Sequence, residues 1–513
     1  MRRRLFSGVF LFGMAVLATF GSCGAARCAE SAAEERVLPN VILFFIDDLG
    51  YADIGPFFGD EAATKGYATP ALDKLASEGR IFTDFHVPQA VCSASRAALM
   101  TGCYPNRIGI LGALFPTDTI GIADSEMTLG ELFRQRGYAT AVYGKWHLGC
   151  KPEFLPTRHG FDEYLGLPYS NDMWKVPYGK EWATLGSYPL KQWAGKTYAD
   201  LPLIENETPK ITDVTSEDQT QLTTWYTERA VQFIESNAGK KPFFVYIPHT
   251  MVHTPLFVSE KFRGKSERGL FGDVMMEIDW SVEQVMDALH RTGVADDTMV
   301  IFLSDNGPWL NFGNHAGSAG LLREGKGTQF EGGVRVPMVV RYPRAVPAGT
   351  VCRQPAMTID LLPTFAAMIG ATPPEHKIDG MNILPMFLDE KNADGSDPIS
   401  PQEAYFFYWG NSLEAVRTGK WKLHFPHTYQ TLSGRPGGTG GVPVNYDTAR
   451  INLALFDQET DPGETTDLAN EYPEIVAKME RMADRMREDL GDAARQMLGT
   501  GKREPGRLMD ATS

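Results

Sequence analysis

Apolar runs that end abruptly in polar residues recur along the first two thirds of the chain. The four clearest are 41–46, 138–143, 243–247 and 299–303. Consecutive apolar, β-branched residues are typical of strands buried on both faces, as in parallel sheets. Segments with helical spacing lie between them, at 129–136 and 274–291. We therefore expect an α/β fold: a large, mixed, mostly parallel sheet flanked by helices.

The pattern changes after residue 377. Short strand-like runs follow at 404–408, 414–416, 421–425 and 453–456, and 474–489 has the spacing of an amphipathic helix. This pattern predicts a smaller C-terminal α+β subdomain with an antiparallel sheet. The expected division is a catalytic α/β domain at 36–377, the subdomain at 378–498 and a polar, frayed tail at 499–513.

Two further segments are predicted to be loops. The Gly- and Pro-rich segment 177–215 is expected to be an insertion near the ligand-binding edge, where loops commonly set substrate choice. The Gly-rich segment 433–442 is expected to be mobile or to form a lid. Five aromatic residues in such loops could stack on sugars, although local packing is the commoner role: Tyr169, Trp174, Trp182, Trp193 and Trp309.

The N-terminal residues have the pattern of a secretory signal peptide. Three arginines at 2–4 precede an apolar run at 5–20 and then several small residues. We expect a signal peptide at 1–29 and a secreted or periplasmic protein. The run is short for a stable membrane span, and a lipoprotein anchor at Cys23 is not expected because Phe20 fits such a site poorly.

Composition narrows the class of ligand. The 513 residues carry a formal net charge of −15, which argues against binding nucleic acid by bulk charge. An anionic substrate must therefore meet a local cluster of basic residues and metal.

Two pairs of polar residues directly follow two of the apolar runs. Asp47 and Asp48 follow the first run, and Asp305 and Asn306 lie just beyond the fourth. Neighbouring carboxylates repel one another unless a cation compensates them, and hard oxygen ligands favour calcium or magnesium over zinc. Either pair alone is also a common turn sequence. Ligands of such sheets bind beyond the carboxyl ends of the strands, so we expect one metal site there.

Basic residues follow the other two runs. Lys145 and His147 stand two apart just beyond the run at 138–143, and His249 and His253 follow the run at 243–247. Lys326 lies further along, in a Gly-rich loop. Taken singly, such residues are usually solvated or structural. Their expected placement at one edge of the sheet is what indicates binding of an anion.

The segment 91–102, VCSASRAALMTG, places a cysteine one helical turn before an arginine. An apolar helical pattern follows Cys92 and Arg96, and we expect the helix to start near Ala97. Backbone N–H groups at a helix start, with Ser93 and Ser95 beside them, favour an anion. A cysteine in this position is often only a buried structural side chain.

In order along the chain, these motifs resemble those of type I sulfatases, members of the alkaline phosphatase superfamily. The matching segments are Asp47-Asp48, 92–102, 144–149, 169–172, 253–255, 304–307 and 325–333, with 416–422 and 455–464 toward the C-terminus. The chain is most similar to the arylsulfatase A and N-acetylgalactosamine-6-sulfatase type. Ala94 stands where the family usually has proline, which leaves open which maturation system acts.

The resemblance implies a secreted enzyme that hydrolyses sulfate esters, with sulfated glycans as expected substrates. It implies that a maturation enzyme oxidises Cys92 to formylglycine. One hydroxyl of its hydrate attacks sulfur, and the other later expels sulfate. The implied ligands of one calcium ion are Asp47, Asp48, Asp305, Asn306 and the formylglycine from Cys92.

The resemblance also implies roles for the basic residues. Arg96 and Lys145 hold the hydrate, and His147 takes the proton of its second hydroxyl. Lys326 and His253 bind sulfate and protonate or stabilise the leaving alcohol. Ser170 contacts the sulfate region. His249 is the less favoured alternative to His253.

Two other functions stay open at this point. Phosphate and sulfate esters are near isosteres, so the chain could be a phosphoester or phosphonate hydrolase of the same superfamily. A non-catalytic glycan-binding protein would follow if Cys92 were never oxidised.

Overall fold

A computed structural model describes residues 38–58, 65–174 and 198–508. All of them belong to one folding unit, which begins at Leu38. The predicted signal peptide at 1–29, Trp182, Trp193 and the last five residues lie outside the described residues. None of the described helices is both long and apolar enough to span a bilayer.

The strands and helices alternate over most of the chain, as the apolar pattern predicts. The strands are β1 (Asn40–Ile46), β2 (Arg80–His86), β3 (Ile120–Gly121), β4 (Ala139–Tyr143), β5 (Glu163–Gly166), β6 (Leu203–Glu205), β7 (Thr208–Ile211), β8 (Phe243–Ile247), β9 (Thr298–Ser304), β10 (Arg335–Arg341), β11 (Thr350–Cys352), β12 (Ala356–Met357), β13 (Tyr405–Trp409), β14 (Ser412–Thr418), β15 (Trp421–His424), β16 (His427–Thr431), β17 (Asp447–Ile451), β18 (Ala454–Asp457) and β19 (Gly506–Arg507). The helices are α1 (Pro70–Ser77), α2 (Cys92–Thr101), α3 (Pro105–Ile108), α4 (Leu129–Arg134), α5 (Ser216–Gln219), α6 (Leu222–Asn237), α7 (Leu270–Arg291), α8 (Glu331–Val334), α9 (Leu361–Ile369), α10 (Leu384–Leu388) and α11 (Pro473–Leu490).

The large sheet has the strand order β11-β2-β10-β9-β1-β8-β4-β5-β6-β7, and β12 also pairs with β2. Its central strands β9, β1, β8 and β4 are neighbours and run parallel. Strands β10, β6 and β7 are antiparallel to their neighbours. The predicted mixed, mostly parallel sheet is confirmed, and the polar residues after the four predicted runs meet at one edge.

The central strand β1 is buried on both faces. Its odd-numbered residues from Val41 to Phe45 pack into one core, which includes α2, α4 and α9. Its even-numbered residues from Ile42 to Ile46 pack into the other, which includes α1, α6 and α7. Alternation between two cores explains why the strand reads as a continuous apolar run.

The C-terminal part contains the expected antiparallel sheet, with the order β13-β14-β15-β18. Side chains of this sheet, such as Phe407 and Leu423, belong to the same core cluster as Leu99 of α2. The exact boundary at residue 377 stays a prediction.

Three local expectations were wrong. Helix α2 begins at Cys92 and not near Ala97; it is buried on all sides, so no polar face marks its first turn. The insertion predicted at 177–215 contains the strand pair β6–β7 at the sheet edge. The tail is not frayed between 499 and 508, because β19 pairs with β3 and Arg503 donates to Glu126.

The Gly-rich segment 433–442 contacts the 3-10 turn Leu310–His315. The N–H of Gly438 donates to the carbonyl of Asn311 at 2.9 Å. Its role as a lid stays a prediction.

Candidate active site

Four oxygen-bearing side chains meet where β1 and β9 end. Asp47 and Asp48 follow β1, and Asp305 and Asn306 follow β9, the strand paired with it. The N–H of Asp48 donates to Asp305 Oδ1 at 3.1 Å, and Asn306 Nδ2 donates to Asp48 Oδ1 at 2.7 Å. All four are buried. The parallel pairing of the two strands is therefore what brings the predicted metal ligands together.

Each of the three carboxylates has a cationic partner. Lys145 Nζ lies 2.5 Å from Asp47 Oδ2, and Lys326 Nζ lies 2.7 Å from Asp48 Oδ1. The third pair is Arg96 and Asp305, with 2.7 Å between a guanidinium nitrogen and Oδ2. The predicted basic residues thus converge on the predicted acidic ones. Their formal charges balance before any metal or substrate is considered.

Cys92 opens helix α2 within this group. Its Sγ lies 3.6 Å from Asp47 Oδ1 and 3.4 Å from Lys326 Nζ. Burial and the charge of Asp47 raise the pKa of the thiol to about 12. An unmodified thiol here is therefore neutral at physiological pH and a poor nucleophile. We call this group the rim cluster; it comprises Asp47, Asp48, Cys92, Arg96, Lys145, Asp305, Asn306 and Lys326.

The rim cluster fits a divalent cation. Ligand atoms of Asp47, Asp48, Cys92 and His253 lie within 4.8 Å of one another. The Oδ1 of Asn306 is buried and accepts no hydrogen bond from the described residues. Burial and the nearby charge of Asp47 raise the pKa of Asp305 to about 7 despite its contact with Arg96. Burial raises the pKa of Asp47 as well, but Lys145 and the other cations hold it well below its usual range, so the positive charge of the side chains is shared unevenly among the carboxylates. The hard oxygen atoms of these side chains suit calcium or magnesium.

His147 is held in one tautomer. Its Nε2 lies 2.8 Å from the carbonyl oxygen of Leu114 and must donate to it, since a carbonyl only accepts. Burial and the charge of Lys145 hold the pKa of His147 well below its usual range. The ring is therefore neutral, and its Nδ1, which has no hydrogen-bond partner among the described residues, carries the free lone pair.

A short backbone segment, 112–114, which we call the strap, sets the position of the Leu114 carbonyl. The N–H of Leu114 donates to Ser93 Oγ at 3.0 Å, and the N–H of Ala94 donates to the carbonyl of Gly112 at 3.1 Å. Gln89 Oε1 accepts from the N–H of Gly112. The bond from Ala94 is one that a proline could not make, because proline has no N–H.

The structure separates the two candidate histidines. His253 Nε2 lies 3.6 Å from Asp48 Oδ2, while its Nδ1 donates to the carbonyl of Thr254. His249 instead contacts Ser281 on α7, and burial lowers its pKa to about 3. His253 is therefore the one that faces the rim cluster. Ser170 also contacts the rim cluster, because its Oγ accepts a hydrogen bond from Lys145 Nζ at 3.2 Å.

The aromatic residues divide into buried and rim positions. Tyr169 and Trp174 are buried, so they serve packing. Trp309 is half-buried, and its ring lies 4.6 Å from Lys326 Nζ and 5.4 Å from the ring of His253. Sequence analysis did not single out Trp409, which is 41% exposed beside the Lys326 loop. The only local signal was its place at the end of a strand before a Gly-Asn turn.

Sequence analysis also missed a second buried group of charges. Lys422 Nζ donates to Glu331 Oε1 at 2.7 Å, and the N–H of Glu331 donates to Glu464 Oε2 at the same distance. His424 contacts Glu464, and Arg417 donates to Asp84. We call this group the closed cluster; its members are Asp84, His86, Glu331, Arg335, Arg417, Lys422, His424 and Glu464. It links the end of the Lys326 loop to the C-terminal sheet.

Comparison with known families and sequences covers nearly the whole chain. Residues 39–371 match the family model described as Sulfatase, and 400–506 match the C-terminal region of aryl-sulfatase. The chain is 38% identical to arylsulfatase A of Bos taurus over 454 residues, which is 85% of either chain. It is 35% identical to N-acetylgalactosamine-6-sulfatase of Homo sapiens over 488 residues, covering 90% of this chain and 87% of the relative.

Solved structures give the same picture. The PsFucS1 sulfatase from Pseudoalteromonas sp. superposes with a TM-score of 0.76 at 25% identity, covering 88% of this chain and 90% of the other. Ps i-CgsB in complex with k-i-k-neocarrahexaose superposes with a TM-score of 0.67 at 27% identity, covering 88% and 92%. A phosphonate monoester hydrolase of Agrobacterium radiobacter, 18% identical with a TM-score of 0.55 and covering 87% and 95%, shares the fold.

Proposed function

Because this chain belongs to the sulfatase family and is a sulfuric ester hydrolase, we propose that it releases sulfate from sulfated carbohydrates, using one calcium ion and a formylglycine made from Cys92. The family expected from the motifs is thus confirmed. The observation that carries the proposal is the convergence of Cys92 with Asp47 and Lys326 at the edge of the sheet. That convergence supports chemistry at position 92, where the plain thiol would be a poor nucleophile.

Carbohydrate substrates are favoured by the names of the relatives. One is an N-acetylgalactosamine-6-sulfatase, and a solved neighbour holds a neocarrahexaose. We expect a secreted or periplasmic protein, matured by an enzyme that oxidises Cys92. We also keep as a proposal the division at residue 377 between a catalytic domain and a C-terminal subdomain.

Asp47, Asp48, Asp305 and Asn306 would hold the calcium ion, with the side chain at position 92 beside them. A hydrated aldehyde at position 92 supplies two geminal hydroxyls, and the calcium ion supplies positive charge next to them. With a divalent cation added to three carboxylates and three cationic side chains, the site becomes positively charged. That charge attracts a sulfate ester into a buried pocket where electrostatic interactions are strong.

Arg96 and Lys145 orient the side chain at position 92. Arg96 is fixed at both ends of its guanidinium group, by Asp305 and by the carbonyl of Lys145. The Nδ1 of His147 is the free base, because its Nε2 proton is committed to Leu114. We assign to it the proton of the second hydroxyl, which must leave when sulfate departs.

Lys326, His253 and Ser170 are assigned to the substrate. Burial lowers the pKa of Lys326, but the charge of Asp48 and its neighbours raises it overall, so the ammonium stays charged. When the sulfur–oxygen bond of the ester breaks, the departing alkoxide needs a proton. His253 donates through Nδ1 to Thr254, so its Nε2 supplies that proton when the ring is protonated. Burial and the charge of Lys326 lower the pKa of His253, so acid pH favours the protonated form.

The test combines mass spectrometry with hydrolysis. The protein is made in its own host, and the peptide across Cys92 is weighed while release of sulfate and of phosphate from matched aryl esters is measured. An aldehyde at position 92, sulfate release, loss of activity with a chelator and recovery with calcium would support the proposal. Faster hydrolysis of the phosphate or phosphonate ester would replace it with the superfamily alternative. A persistent thiol without hydrolysis would favour a glycan-binding protein.

A further inference from the structure

Exposed aromatic side chains are scarce on the part of the protein that the structure describes. Phe115, Trp409 and Tyr472 are the large aromatic residues classed as exposed there. Trp409 is the most exposed of the three, at 41%. An indole ring left in water forgoes hydrophobic stabilisation that burial would give. Single exposed apolar residues are common, so it is the position of this ring beside the active site that makes it a candidate for contact with a ligand.

Trp409 does lie beside the active site. The edge of its ring is 3.8 Å from the position that a β-carbon would take on Gly327, the residue after Lys326. The N–H of Gly327 donates to the carbonyl of Ala90 at 3.0 Å, two residues before Cys92. The ring of Trp409 therefore lies beside the residue that follows Lys326, the lysine assigned to sulfate. The hydrogen bond from Gly327 to Ala90 links the same place to the segment that carries Cys92.

The ring is presented on a rigid support. Trp409 pairs with Ser412 across a two-residue turn, and the carbonyl of Gly410 in that turn accepts from Asn106 Nδ2 at 2.9 Å and from Gln89 Nε2 at 3.4 Å. Gln89 also holds the strap. A backbone that is already held in place lowers the conformational entropy lost when a ligand stacks on the side chain it carries.

We propose that Trp409 is a stacking platform for the sugar ring next to the sulfated ring, so that the substrate is a sulfated oligosaccharide and not a monosaccharide. This inference rests on the proposed sulfatase function. The C–H face of a pyranose is apolar and fits the face of an indole. The exposed Asn411 beside it offers an amide for a sugar hydroxyl.

The chain offers a matched control in Trp421. It lies at the other end of the same antiparallel sheet, one strand length or roughly 20 Å from Trp409, and its ring packs 4.9 Å from Tyr472. Trp421→Ala removes an indole from the same sheet without touching the Lys326 loop. Thermal unfolding of both variants separates a folding defect from a binding defect.

The experiment measures binding and hydrolysis separately. The full-length protein, Trp409→Ala and Trp421→Ala are compared on chondroitin 6-sulfate and iota-carrageenan tetrasaccharides, on N-acetylgalactosamine 6-sulfate and on 4-nitrophenyl sulfate. Dissociation constants come from calorimetry in the Cys92→Ala background, where hydrolysis is blocked. We expect Trp409→Ala to weaken binding of the preferred tetrasaccharide about tenfold, or about 1.4 kcal/mol, and to raise its KM with little change in kcat. Values for the small esters should stay unchanged.

Each contrary outcome has its own meaning. Equal losses for tetrasaccharide and monosaccharide, or equal effects of Trp421→Ala, would overturn the platform. Wild-type protein that binds no tetrasaccharide more tightly than the monosaccharide would also overturn it, while hydrolysis of 4-nitrophenyl sulfate would keep the sulfatase proposal standing. If no sulfate ester is hydrolysed, the sulfatase proposal fails, and the calorimetric comparison still decides the role of Trp409.

Discussion

The rim cluster and the closed cluster, together with their histidines, have nearly the same composition but different electrostatics. Each contains three carboxylates, three cationic side chains and two histidines, most of them buried. In the closed cluster, burial raises the pKa of Glu331 and Glu464, but Lys422 and the other cations lower it overall. In the rim cluster, cations likewise lower the pKa of Asp47 overall, but burial and Asp47 keep that of Asp305 raised. Imidazole nitrogens without a partner among the described residues occur in both clusters, and Asn306 Oδ1 in the rim cluster also has none.

The difference shows that a group of possible metal ligands is not by itself a metal site. Asp84, His86 and Glu331 also lie close enough to share an ion. Arg417 and Lys422 already compensate Asp84 and Glu331, and both cations belong to the C-terminal sheet. In the rim cluster, Asp305 keeps a raised pKa and Cys92 lies beside Asp47. These two features support the proposal that the rim cluster is the reaction site. The predictions below test this division, from the largest expected effect to the smallest.

Cys92→Ala should give the largest difference between the effect on hydrolysis and the effect on the free energy of unfolding. We expect sulfate ester hydrolysis to fall by at least about 10⁴-fold, the scale typical of removing a nucleophile. The free energy of unfolding should change little, because the helix keeps its backbone bonds and alanine suits it. Steady-state kinetics and urea unfolding measure the two quantities. Substantial hydrolysis by this variant would place the nucleophile elsewhere.

Removing one lysine from each cluster should give opposite results. Lys422→Met leaves Glu331 and Glu464 with less compensation, so we expect the free energy of unfolding to fall by roughly 3–5 kcal/mol, with near-normal activity per folded molecule. Lys326→Met should lower kcat/KM by about 10²-fold or more while calcium keeps Asp48 compensated and stability nearly constant. Urea unfolding and kinetics on the same samples check both. A loss of stability in both variants would erase the distinction.

Acid should weaken the closed cluster in a defined window. Because Glu331 and Glu464 have lowered pKa values in the folded chain, the unfolded chain binds more protons once the pH falls below their ordinary value of 4.5. Their stabilising contribution is complete above that value and is lost as the pH falls further, by about 1.4 kcal/mol per group and pH unit.

Lys422→Met should show a shallower loss of stability over that acid range. Lys326→Met should keep most of the wild-type slope, because Lys326 is the smallest of the charges that lower the pKa of Asp47. Urea unfolding at several pH values between about 6 and 3.5 gives the slopes. Parallel curves for Lys422→Met and wild type would show that the lysine does not set these pKa values.

The smallest predicted effect concerns the strap. Ser93→Ala removes the hydroxyl that accepts from Leu114, so His147 loses part of its orientation. We expect kcat to fall about 3- to 10-fold, the value of one hydrogen bond, with KM unchanged and the acid limb of the pH–rate profile shifted. Ser95→Ala is the control, since its buried Oγ has no partner among the described residues. Both rates are divided by the aldehyde fraction found by mass spectrometry. Equal effects of the two changes would refute the role of the strap.

The centre of the fold could be predicted because its signals are local. The run 41–46 and the aspartates after it are adjacent in the sequence. Because the strand is buried on both faces, all of its central residues are apolar, and such a run can be recognised from the sequence alone. The first turn of α2 was misplaced because Cys92 to Arg96 are buried all round and Val91 makes no side-chain cap. The β6–β7 pair was missed because β7 is mostly exposed and carries a proline.

The parts of the site that were missed depend on contacts between distant residues. Glu331 and Lys422 are 91 positions apart, and Asp84 and Arg417 are 333 positions apart. No local sequence pattern predicts such pairs. Trp409 likewise becomes informative only when the C-terminal sheet is seen beside Gly327. The tautomer of His147 depends on a backbone carbonyl, which carries no signal in the sequence at all.

The burial of Cys92 has a consequence for timing on the ribosome. Its side chain is 2% exposed in the folded chain, so under the proposed maturation an oxidising enzyme would have to reach it before the fold closes. Strand β1 cannot pair with its neighbours β8 and β9 before these have been synthesised, and they begin at Phe243 and Thr298. The stretch from Cys92 to the second partner is roughly 200 residues, or about 10–40 s at ordinary elongation rates. Codon changes that speed this stretch should therefore lower the fraction of mature enzyme.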